Sequence, residues 1–423
     1  MTVNLKNWAG NYTYQAARLH RPETVEQVQE LVVNGSKLRA LGTRHSFNDI
    51  ADSPEDLISL EYFTDIVALD QKRRTVTVGA GVRYGDLCRE LHAAGYAVHN
   101  MASLPHISVA GACATATHGS GVTHGNLATI VSALELVTGT GEVVVLSRDQ
   151  HGEQFQGAVV GLGGLGVVTQ LTLDLVPAFE VRQDVYENLS LAQVTDHFEE
   201  VVSSAYSVSL FTNWQNQTFN QVWLKSVVTD SAAAEPEPEL FGAPRATRKL
   251  HPIPGISAEN CTEQMGIPGP WHERLPHFRL EYTPSSGEEL QTEYFVPRKH
   301  AVEAVHAISG LSQHIAPLLQ ISEIRTIAAD MLWMSPAFKQ NSVGIHFTWE
   351  KNWMGVSKVL PLIEEALAPF QARPHWGKLF TMSPGHLQAL YPKLPEFQQL
   401  LQHYDPRGKF RNTFLDTYIF GNH

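Results

Sequence analysis

The chain has 423 residues, of which 43% are hydrophobic and 17% are charged, a composition typical of a folded globular protein and not of a disordered one. Its 31 Lys and Arg against 43 Asp and Glu leave a formal charge of −12, which disfavours nucleic acid as a partner. No apolar run reaches the roughly 20 residues that cross a bilayer, so we expect no membrane partner. A chain of 423 residues favours two domains over one.

The N-terminus and the cysteines bear on location. The first ten residues contain one basic residue, Lys6, and no apolar core segment, so no signal peptide is predicted. Three cysteines, Cys88, Cys113 and Cys261, are too few and odd in number for a disulfide framework. We therefore expect a reducing, cytoplasmic location. The 20 histidines include no HExxH motif or closely spaced ligand set, so no metal site is expected.

Apolar periodicity predicts a strand-rich α+β protein. In chain order, the pattern predicts a helix over 22–33, a strand over 38–41, a hairpin of 66–70 and 75–78, a helix over 84–94, a hairpin of 133–138 and 142–146, a strand over 166–176, and helices over 302–311 and 359–370. Connections are too short for repeated βαβ crossovers, so a nicotinamide-binding Rossmann domain fits poorly. The glycine-rich segment 161–166 also fails to match GxGxxG.

One histidine follows the predicted strand over 38–41. It lies in the string Gly42-Thr43-Arg44-His45-Ser46-Phe47-Asn48. A turn of small and polar residues exposes backbone N–H groups that can bind a pyrophosphate. The spacing alone also fits a loop histidine that hydrogen-bonds to the backbone, and both interpretations stay open at this point.

Small side chains dominate residues 110–121, which read Ala-Gly-Ala-Cys-Ala-Thr-Ala-Thr-His-Gly-Ser-Gly. A packed core needs more volume than these residues supply, so a large planar or phosphorylated cofactor against the backbone is predicted here. A tight turn between strands is the alternative. The segment 161–168 is also rich in glycine and allows a close approach to a ligand.

Together these strings resemble the vanillyl-alcohol-oxidase type of FAD-linked oxidase, and within it the bacterial alditol oxidases. The resemblance extends over nearly the whole chain and is carried by residues 7–11, 42–48, 101–121, 269–274 and 375–378. It implies an α+β fold in which residues 1–179 and 376–423 form a two-subdomain FAD-binding domain. Residues 180–375 are then a substrate domain built on an antiparallel sheet flanked by helices.

The resemblance implies that FAD is covalently attached through His45, at the 8-methyl carbon of the flavin ring. Residues 99–102 contain no cysteine for a second tether, and Cys113 is interpreted as a small core residue. The cofactor-binding residues that the resemblance implies are Leu41, Gly42, Thr43, Arg44, His45, Ser46, Ser103, Ser108, Gly111, Thr115, Thr117, His118 and Val168.

Two strands of the second domain carry paired polar residues. Glu323 and Arg325 are two apart and face the same side of a strand, as do His346 and Thr348. A plain ion pair explains the first pair equally well, although its surroundings are apolar. By resemblance, Ser103, Glu323, Arg325, Thr348 and Lys378 bind hydroxyl groups of the substrate, and the catalytic residues are Lys378, Arg325, His346 and Glu323.

The expected reaction is oxidation of the terminal CH2OH of an alditol, such as xylitol or sorbitol, to the aldose, with O2 reduced to H2O2. Arg325 and Lys378 would stabilise the developing alkoxide, and either His346 or Lys378 would take the hydroxyl proton. The partners are then a polyol and molecular oxygen, and we expect a monomer. The alternatives are an aldonolactone oxidase or dehydrogenase and a sugar-binding protein without catalysis.

Overall fold

The computed structural model describes residues 4–229, 236–282 and 288–421. The strands are β1 (Arg18–His20), β2 (Leu38–Leu41), β3 (Asp56–Ser59), β4 (Ile66–Asp70), β5 (Thr75–Gly79), β6 (Tyr96–Ala97), β7 (Val131–Thr138), β8 (Val143–Ser147), β9 (Gly166–Asp174), β10 (Val176–Pro177), β11 (Glu180–Ser190), β12 (Ser207–Thr212), β13 (Thr218–Val227), β14 (Glu239–Leu240), β15 (Ala243–Pro244), β16 (Gly269–Pro270), β17 (Glu289–Pro297), β18 (Leu319–Ile327), β19 (Ser342–Glu350) and β20 (Arg373–Pro374).

Helices connect and cover these strands. They are α1 (Val25–Asn34), α2 (Tyr84–Ala93), α3 (Val109–Ala114), α4 (Arg148–Val159), α5 (Leu191–Asp196), α6 (Phe198–Val202), α7 (Ala301–Ser309), α8 (Ser312–Ile315), α9 (Trp353–Leu367), α10 (Pro384–Ala389), α11 (Leu394–Tyr404) and α12 (Thr413–Tyr418). Among the described residues, no helix is long and apolar enough to span a membrane.

A small parallel sheet, in the order β1-β3-β2, precedes the histidine turn. Helix α1 crosses between β1 and β2, with Thr24 capping its first turn by accepting a hydrogen bond from the backbone of Gln27. This is a single βαβ unit, so it does not contradict the expectation that connections are too short for repeated βαβ crossovers. The predicted elements do not include β1 or β3, which are only three and four residues long.

The next sheet is antiparallel and has the order β4-β5-β9-β7-β8. It contains both hairpins that the sequence predicts, with turns at residues 71–74 and 139–142. Gly166 begins β9 with a positive φ of 152°, and a Cβ there would lie 2.3 Å from the carbonyl oxygen of Val137. Only glycine permits this close approach of two backbones.

The second half of the chain builds an eight-stranded sheet in the order β16-β11-β13-β12-β18-β19-β17-β20, whose paired strands are antiparallel. Alternation along β19 places Phe347 and Trp349 on one face, where their rings stack with centroids 5.1 Å apart. His346 and Thr348 lie on the opposite face. The helix predicted over 359–370 begins earlier, at Trp353, and helices α7 and α9 pack together beside this sheet.

The C-terminal residues return to the small parallel sheet. The Asn412 side chain donates hydrogen bonds to the backbone carbonyls of Asp49, Ile50 and Asp52, and it also caps α12. The backbone of Leu38 donates to the carbonyl of Lys409. These contacts join residues near 410 to the first residues of the chain.

Arg39 fastens three segments together from a position that is 2% exposed. Its guanidinium donates to the carbonyls of Gly163 at 2.8 Å and Phe410 at 2.9 Å, and also to those of Leu162 and Ile50. The glycine-rich segment, the parallel sheet and the C-terminal segment therefore share one buried cation. Carbonyl oxygens accept from both Nη1 and Nη2 without a direct carboxylate contact, whereas Nε has no hydrogen-bond partner among the described residues.

We predict that Arg39→Met lowers the free energy of unfolding by about 3 kcal/mol, because buried carbonyls lose their donor. Thermal unfolding followed by circular dichroism measures the loss. Lys72→Met, which removes an exposed cation, is the matched control and changes stability by less than about 0.5 kcal/mol. Equal unfolding midpoints for the Arg39 variant and the unmodified protein would contradict this role.

Candidate active site

Two cavities meet at the turn that contains His45. The glycine cavity, of about 1060 Å³, runs along Gly81, Gly161 and Gly166. The sheet cavity, of about 660 Å³, extends to the polar face of the eight-stranded sheet. Both are lined by residues 40–45, Ser108 and Gly111. The two spaces therefore lie end to end and suit one extended ligand with a smaller molecule beyond it.

His45 lies at the junction of the cavities with its imidazole largely buried. Nδ1 is 3.0 Å from Thr43 Oγ1, and the ring stacks on Trp8 with centroids 5.4 Å apart. Nε2 is buried and has no hydrogen-bond partner in the part of the chain that the structure describes. Burial lowers the pKa of His45 to about 4, so the ring is neutral near pH 7 and Nε2 can act as a nucleophile.

The segment that carries Lys378 is held against the His45 turn. Asn48 Nδ2 donates to the backbone carbonyls of Trp376 and Lys378, each at 2.8 Å. The backbone of Phe47 donates to the carbonyl of Gly377 at 2.7 Å. The string 42–48 thus has two roles, since its middle residue faces the cavities and its last residues position Lys378.

Strand register brings the polar residues of the sheet into one row. His346 on β19 is paired with Glu323 on β18 and with Glu293 on β17. Two residues along, Arg325 is paired with Gly344. Because Gly344 has no side chain, the Arg325 guanidinium reaches across β19, and its Nη2 lies 3.2 Å from Glu293 Oε1. A Cβ on Gly344 would lie 3.1 Å from that oxygen.

Glu293 is the centre of this row, with a fully buried side chain. Its Oε2 accepts a hydrogen bond from Lys378 Nζ at 2.7 Å, and His118 Nε2 lies 3.1 Å from Oε1. Burial alone would keep this carboxyl neutral, but Lys378, His118 and Arg325 outweigh it and hold the pKa of Glu293 well below its ordinary value. The carboxylate therefore remains ionised and binds two cations at once.

Glu323 and Arg325 form the second ion pair, with Oε2 and Nε 3.5 Å apart. Despite burial, Arg325 and His277 lower the pKa of Glu323 below its ordinary range. Arg325 Nη1 is 3.2 Å from Ser103 Oγ, whereas Nε is buried and lacks a hydrogen-bond partner among the described residues. An unused donor thus lies beside a carboxylate oxygen at the cavity wall.

His346 and Lys378 share a short contact, with Nζ 2.9 Å from Nδ1. On its other side, His346 Nε2 is 3.0 Å from Thr348 Oγ1. Burial and the nearby Lys378 lower the pKa of His346 well below its ordinary value, and burial also lowers the pKa of Lys378, against the opposing effect of Glu293. The neutral imidazole therefore accepts a hydrogen bond from the Lys378 ammonium at Nδ1 and donates one from Nε2 to Thr348 Oγ1.

Every residue that the sequence assigns to the substrate or to catalysis lines the sheet cavity: Ser103, Glu323, Arg325, His346, Thr348 and Lys378. The residues assigned to the cofactor line one or both cavities: Leu41, Gly42, Thr43, Arg44, His45, Ser46, Ser103, Ser108, Gly111, Thr115, Thr117 and His118 at the sheet cavity, and Val168 at the glycine cavity. Their roles in binding and catalysis stay predictions.

Two assignments need refinement. The His118 ring uses both nitrogens within the protein, Nδ1 toward the carbonyl of Gly119 at 2.8 Å and Nε2 toward Glu293, so it supports the charged row as well as lining the cavity. In the run of small residues, Ala112 and Cys113 are buried in the core and each also lines one cavity, while Gly111 and Ala114 line both cavities. Close packing thus accounts for part of that run.

Sequence reasoning missed Glu293 and Gly344. The signal for Glu293 is present, since it is a lone carboxylate in the apolar string Thr292-Glu293-Tyr294-Phe295-Val296, the same pattern that singled out Glu323. Gly344 carries no signal of its own, because its importance depends on register with Arg325. Among the described residues, no group of three or more His, Cys, Asp and Glu could hold a metal ion.

Comparisons with known protein families match two parts of the chain. Residues 16–147 match the FAD binding domain family, and residues 287–418 match the family described as D-arabinono-1,4-lactone oxidase. The first match contains the His45 turn and the run of small residues. The second contains Glu293, Glu323, His346 and Lys378.

Similar proteins cover the full length. An alditol oxidase of Streptomyces sp. strain IKD472 is 50% identical over 100% of both chains. An L-gulono-1,4-lactone dehydrogenase of Mycobacterium tuberculosis is 27% identical over 96% of this chain and 97% of the relative. The structure of cholesterol oxidase from B. sterolicum superimposes with a TM-score of 0.79 over 98% of this chain and 96% of that one, at 15% identity, which shows a shared fold.

We predict that Glu293→Gln destabilises the protein by about 3 kcal/mol near pH 7, because it leaves Lys378 and Arg325 buried without their shared anion. In the unmodified protein, Glu293 stays ionised well below about pH 4.3, where an unfolded glutamate takes up a proton. The stability that this ion pair supplies is therefore present above that pH and is lost as the pH falls.

Urea unfolding between pH 3.5 and 7 measures both effects. Glu293→Gln is expected to lose less stability on acidification than the unmodified protein. The slope of its free energy of unfolding against pH should be smaller by the equivalent of up to about one proton. The exposed Glu365 provides the control variant Glu365→Gln, whose acid dependence should match the unmodified protein. Parallel pH curves for the Glu293 variant and the unmodified protein would show that this carboxylate does not bind its cations as described.

Proposed function

We infer the function from one premise: this chain belongs to the vanillyl-alcohol-oxidase type of FAD-linked oxidases, in the group that includes alditol oxidase. The protein is an FAD-dependent alditol oxidase, which oxidises the terminal CH2OH of a polyol to the aldehyde of the aldose. The observation that carries this conclusion is the 50% identity to an alditol oxidase over 100% of both chains. We propose xylitol and sorbitol as substrates and H2O2 as the reduced product of oxygen.

The two cavities fit FAD. The buried His45 Nε2 without a partner and the glycine-lined cavity beside it are what an extended dinucleotide needs at its reactive ring and along its phosphates. FAD held there would supply the acceptor for a hydride from the alcohol carbon and the route of its two electrons to oxygen. We propose that His45 is bonded through Nε2 to the 8-methyl carbon, because Nδ1 is already occupied by Thr43.

The polar wall of the sheet cavity suits an uncharged polyhydroxylated molecule. Each hydroxyl group both donates and accepts a hydrogen bond. At Glu323 Oε2 and Arg325 Nε, an acceptor and an unused donor lie 3.5 Å apart, so one hydroxyl can satisfy both. Ser103 and Thr348 contribute hydroxyls that donate or accept, and Lys378 contributes a donor. Such a site rejects analogues without the matching hydroxyl, because its own buried polar groups would lose their partners.

Deprotonation of the reacting hydroxyl is assigned to Lys378 and His346 acting together. Their 2.9 Å contact allows a proton that reaches either nitrogen to be shared between them. Burial lowers both pKa values, which makes an unprotonated nitrogen available near neutral pH. Arg325 places a fixed positive charge on the same wall, where it stabilises the developing alkoxide. Ala102 lines the sheet cavity and leaves room for oxygen.

We also propose the two-domain division, with residues 1–179 and 376–423 holding FAD and residues 180–375 holding the substrate. The hydrogen bonds that join Asn48 to Trp376 and Lys378 support a boundary there. We further propose that the protein is a monomer and that it is located in the cytoplasm. The free, buried thiols of Cys88, Cys113 and Cys261 fit a reducing location of this kind.

The family match over 287–418 makes a sugar lactone the alternative substrate. We predict that purified protein with bound flavin consumes oxygen and forms H2O2 with xylitol at least about tenfold faster, by kcat/KM, than with L-gulono-1,4-lactone. Coupled peroxide detection and oxygen uptake measure both rates, and the aldose is identified by chromatography. Faster turnover of the lactone would replace the alditol assignment with the alternative.

The covalent tether is tested separately. We predict that His45→Ala releases its flavin on acid precipitation, because the only proposed bond to the ring is gone, whereas the unmodified protein keeps its flavin in the pellet. Mass spectrometry of proteolytic fragments should find the peptide with His45 heavier by one FAD.

His106→Ala is the matched control for the tether. His106 also lies at the glycine cavity, but its Nε2 contacts the carbonyl of Leu280, so its loss should leave the flavin covalently bound. Flavin that stays in the pellet of the His45 variant would disprove attachment at this residue.

A further inference from the structure

A further buried basic residue, Lys225, lies behind Glu323, away from the Glu293 row. Lys225 on β13 is 1% exposed and is not among the residues that line the sheet cavity. Its Nζ donates to the backbone carbonyls of Leu275 at 2.6 Å and Pro276 at 2.8 Å, and it lies 3.1 Å from His277 Nδ1. His277 Nε2 is in turn 2.7 Å from Glu323 Oε1. A continuous hydrogen-bonded chain therefore runs from Lys225 to a wall of the substrate site.

The donors and acceptors of this chain fix the position of its protons. An ammonium group has three N–H donors, and the neighbours of Lys225 Nζ are two carbonyl oxygens and one ring nitrogen. On the other side of the ring, Glu323 is held ionised and its Oε1 can only accept, so a neutral His277 carries its proton on Nε2 and accepts at Nδ1 from Lys225. That proton is directed at Glu323 Oε1. The opposite tautomer would direct a lone pair at the carboxylate, which is unfavourable.

The surroundings keep the His277 ring in this orientation. Its centroid is 5.6 Å from that of Phe211 and 5.2 Å from that of Trp223, both in edge-to-face arrangements. Burial lowers the pKa of His277 to about 4 and that of Lys225 to about 7. The nearby Glu323 is the largest influence that opposes the shift of the Lys225 pKa. His277, which lines the sheet cavity, thus connects the buried Lys225 to one oxygen of Glu323.

We propose that Lys225 and His277 are positioning residues that hold Glu323 with Oε1 bound and Oε2 free to accept a hydrogen bond from one substrate hydroxyl. The inference rests on the proposed function, in which Glu323 binds the polyol. Apart from Arg325 Nε at 3.5 Å, the described residues give Oε2 no contact of this kind. Lys225 thus determines, through His277, which oxygen of Glu323 recognises the substrate.

A purely structural role for Lys225 is the competing explanation, since it also ties residues 275–276 to the sheet. The two explanations differ in how they depend on Glu323. If Lys225 positions Glu323, replacing Lys225 has no further effect on substrate binding once Glu323 has also been replaced. If its role is purely structural, the effect of replacing Lys225 is the same with and without Glu323. A double-mutant cycle between Lys225 and Glu323 separates them.

The experiment measures kcat and KM for xylitol with Lys225→Met, Glu323→Gln and the double variant, each loaded with flavin. We expect Lys225→Met to raise KM about tenfold with kcat changed less than about threefold, because ground-state binding of one hydroxyl is lost. In the Glu323→Gln background, the same substitution should change KM less than about twofold. An equal rise in KM in both backgrounds, or an unchanged KM, would overturn the proposal.

A pair of His277 variants gives the same comparison if Lys225→Met fails to bind flavin. His277→Gln keeps an N–H donor near the position of Nε2, and His277→Leu removes it. We expect the Gln variant to retain a KM for xylitol within about threefold of that of the unmodified protein. The Leu variant should show a KM that is about tenfold higher. Equal effects of Gln and Leu would contradict the role of the Nε2 proton.

Nitrogen NMR of histidine-labelled protein provides a readout that is independent of turnover. The His277 signals, assigned by their loss in His277→Gln, should show a protonated Nε2 and a bare Nδ1, and this preference should weaken in Lys225→Met. A protonated Nδ1 in the unmodified protein would overturn the proposal. If the unmodified protein does not oxidise xylitol at all, the proposed function fails, whereas this NMR result tests the positioning chain separately.

Discussion

The site depends on one buried carboxylate, Glu293, which binds Lys378 and Arg325 simultaneously. Lys378 comes from the segment that is fastened to the His45 turn, and Arg325 comes from β18. Each cation would be costly to bury alone, and a shared anion with further hydrogen bonds makes both tolerable. The ion pairs therefore join the His45 turn to the eight-stranded sheet, the two parts of the chain that we propose hold the flavin and the substrate.

The fold supplies this arrangement through register more than through loops. Three neighbouring strands place Glu323, His346 and Glu293 side by side, and the absence of a side chain at Gly344 lets Arg325 cross the middle strand. Groups on strands of a large sheet are held more rigidly than groups on loops. This rigidity suits a polyol site, because several hydroxyls must each meet a donor or an acceptor in a fixed place.

Much of this could be predicted from the sequence, and the failures have physical causes. Local patterns gave the strand at 38–41, both hairpins, and the polar pairs at Glu323 with Arg325 and at His346 with Thr348, because period-2 alternation is a local property. The parallel sheet is not predicted because β1 and β3 are only three and four residues long. Gly344 and the chain from Lys225 to His277 depend on which strands become neighbours, and one sequence does not contain that information. Glu293 does carry a local signal, as a lone carboxylate in an apolar string. Helix α9 begins at Trp353, before the predicted start at 359, and contains Pro361 in its interior, where local propensity disfavours proline because it lacks the backbone donor.

The central claim is that the charged row around Glu293 activates a polyol hydroxyl beside the flavin. The most direct measurement is anaerobic rapid mixing of the flavin-loaded protein with xylitol, following the loss of flavin absorbance in the unmodified protein, in Lys378→Met and in the exposed-site control Lys358→Met. We predict that Lys378→Met retains its covalent flavin but is reduced at least about 100-fold more slowly, while the control is unchanged. Reduction of the Lys378 variant at a rate within a few fold of the unmodified protein would contradict the account.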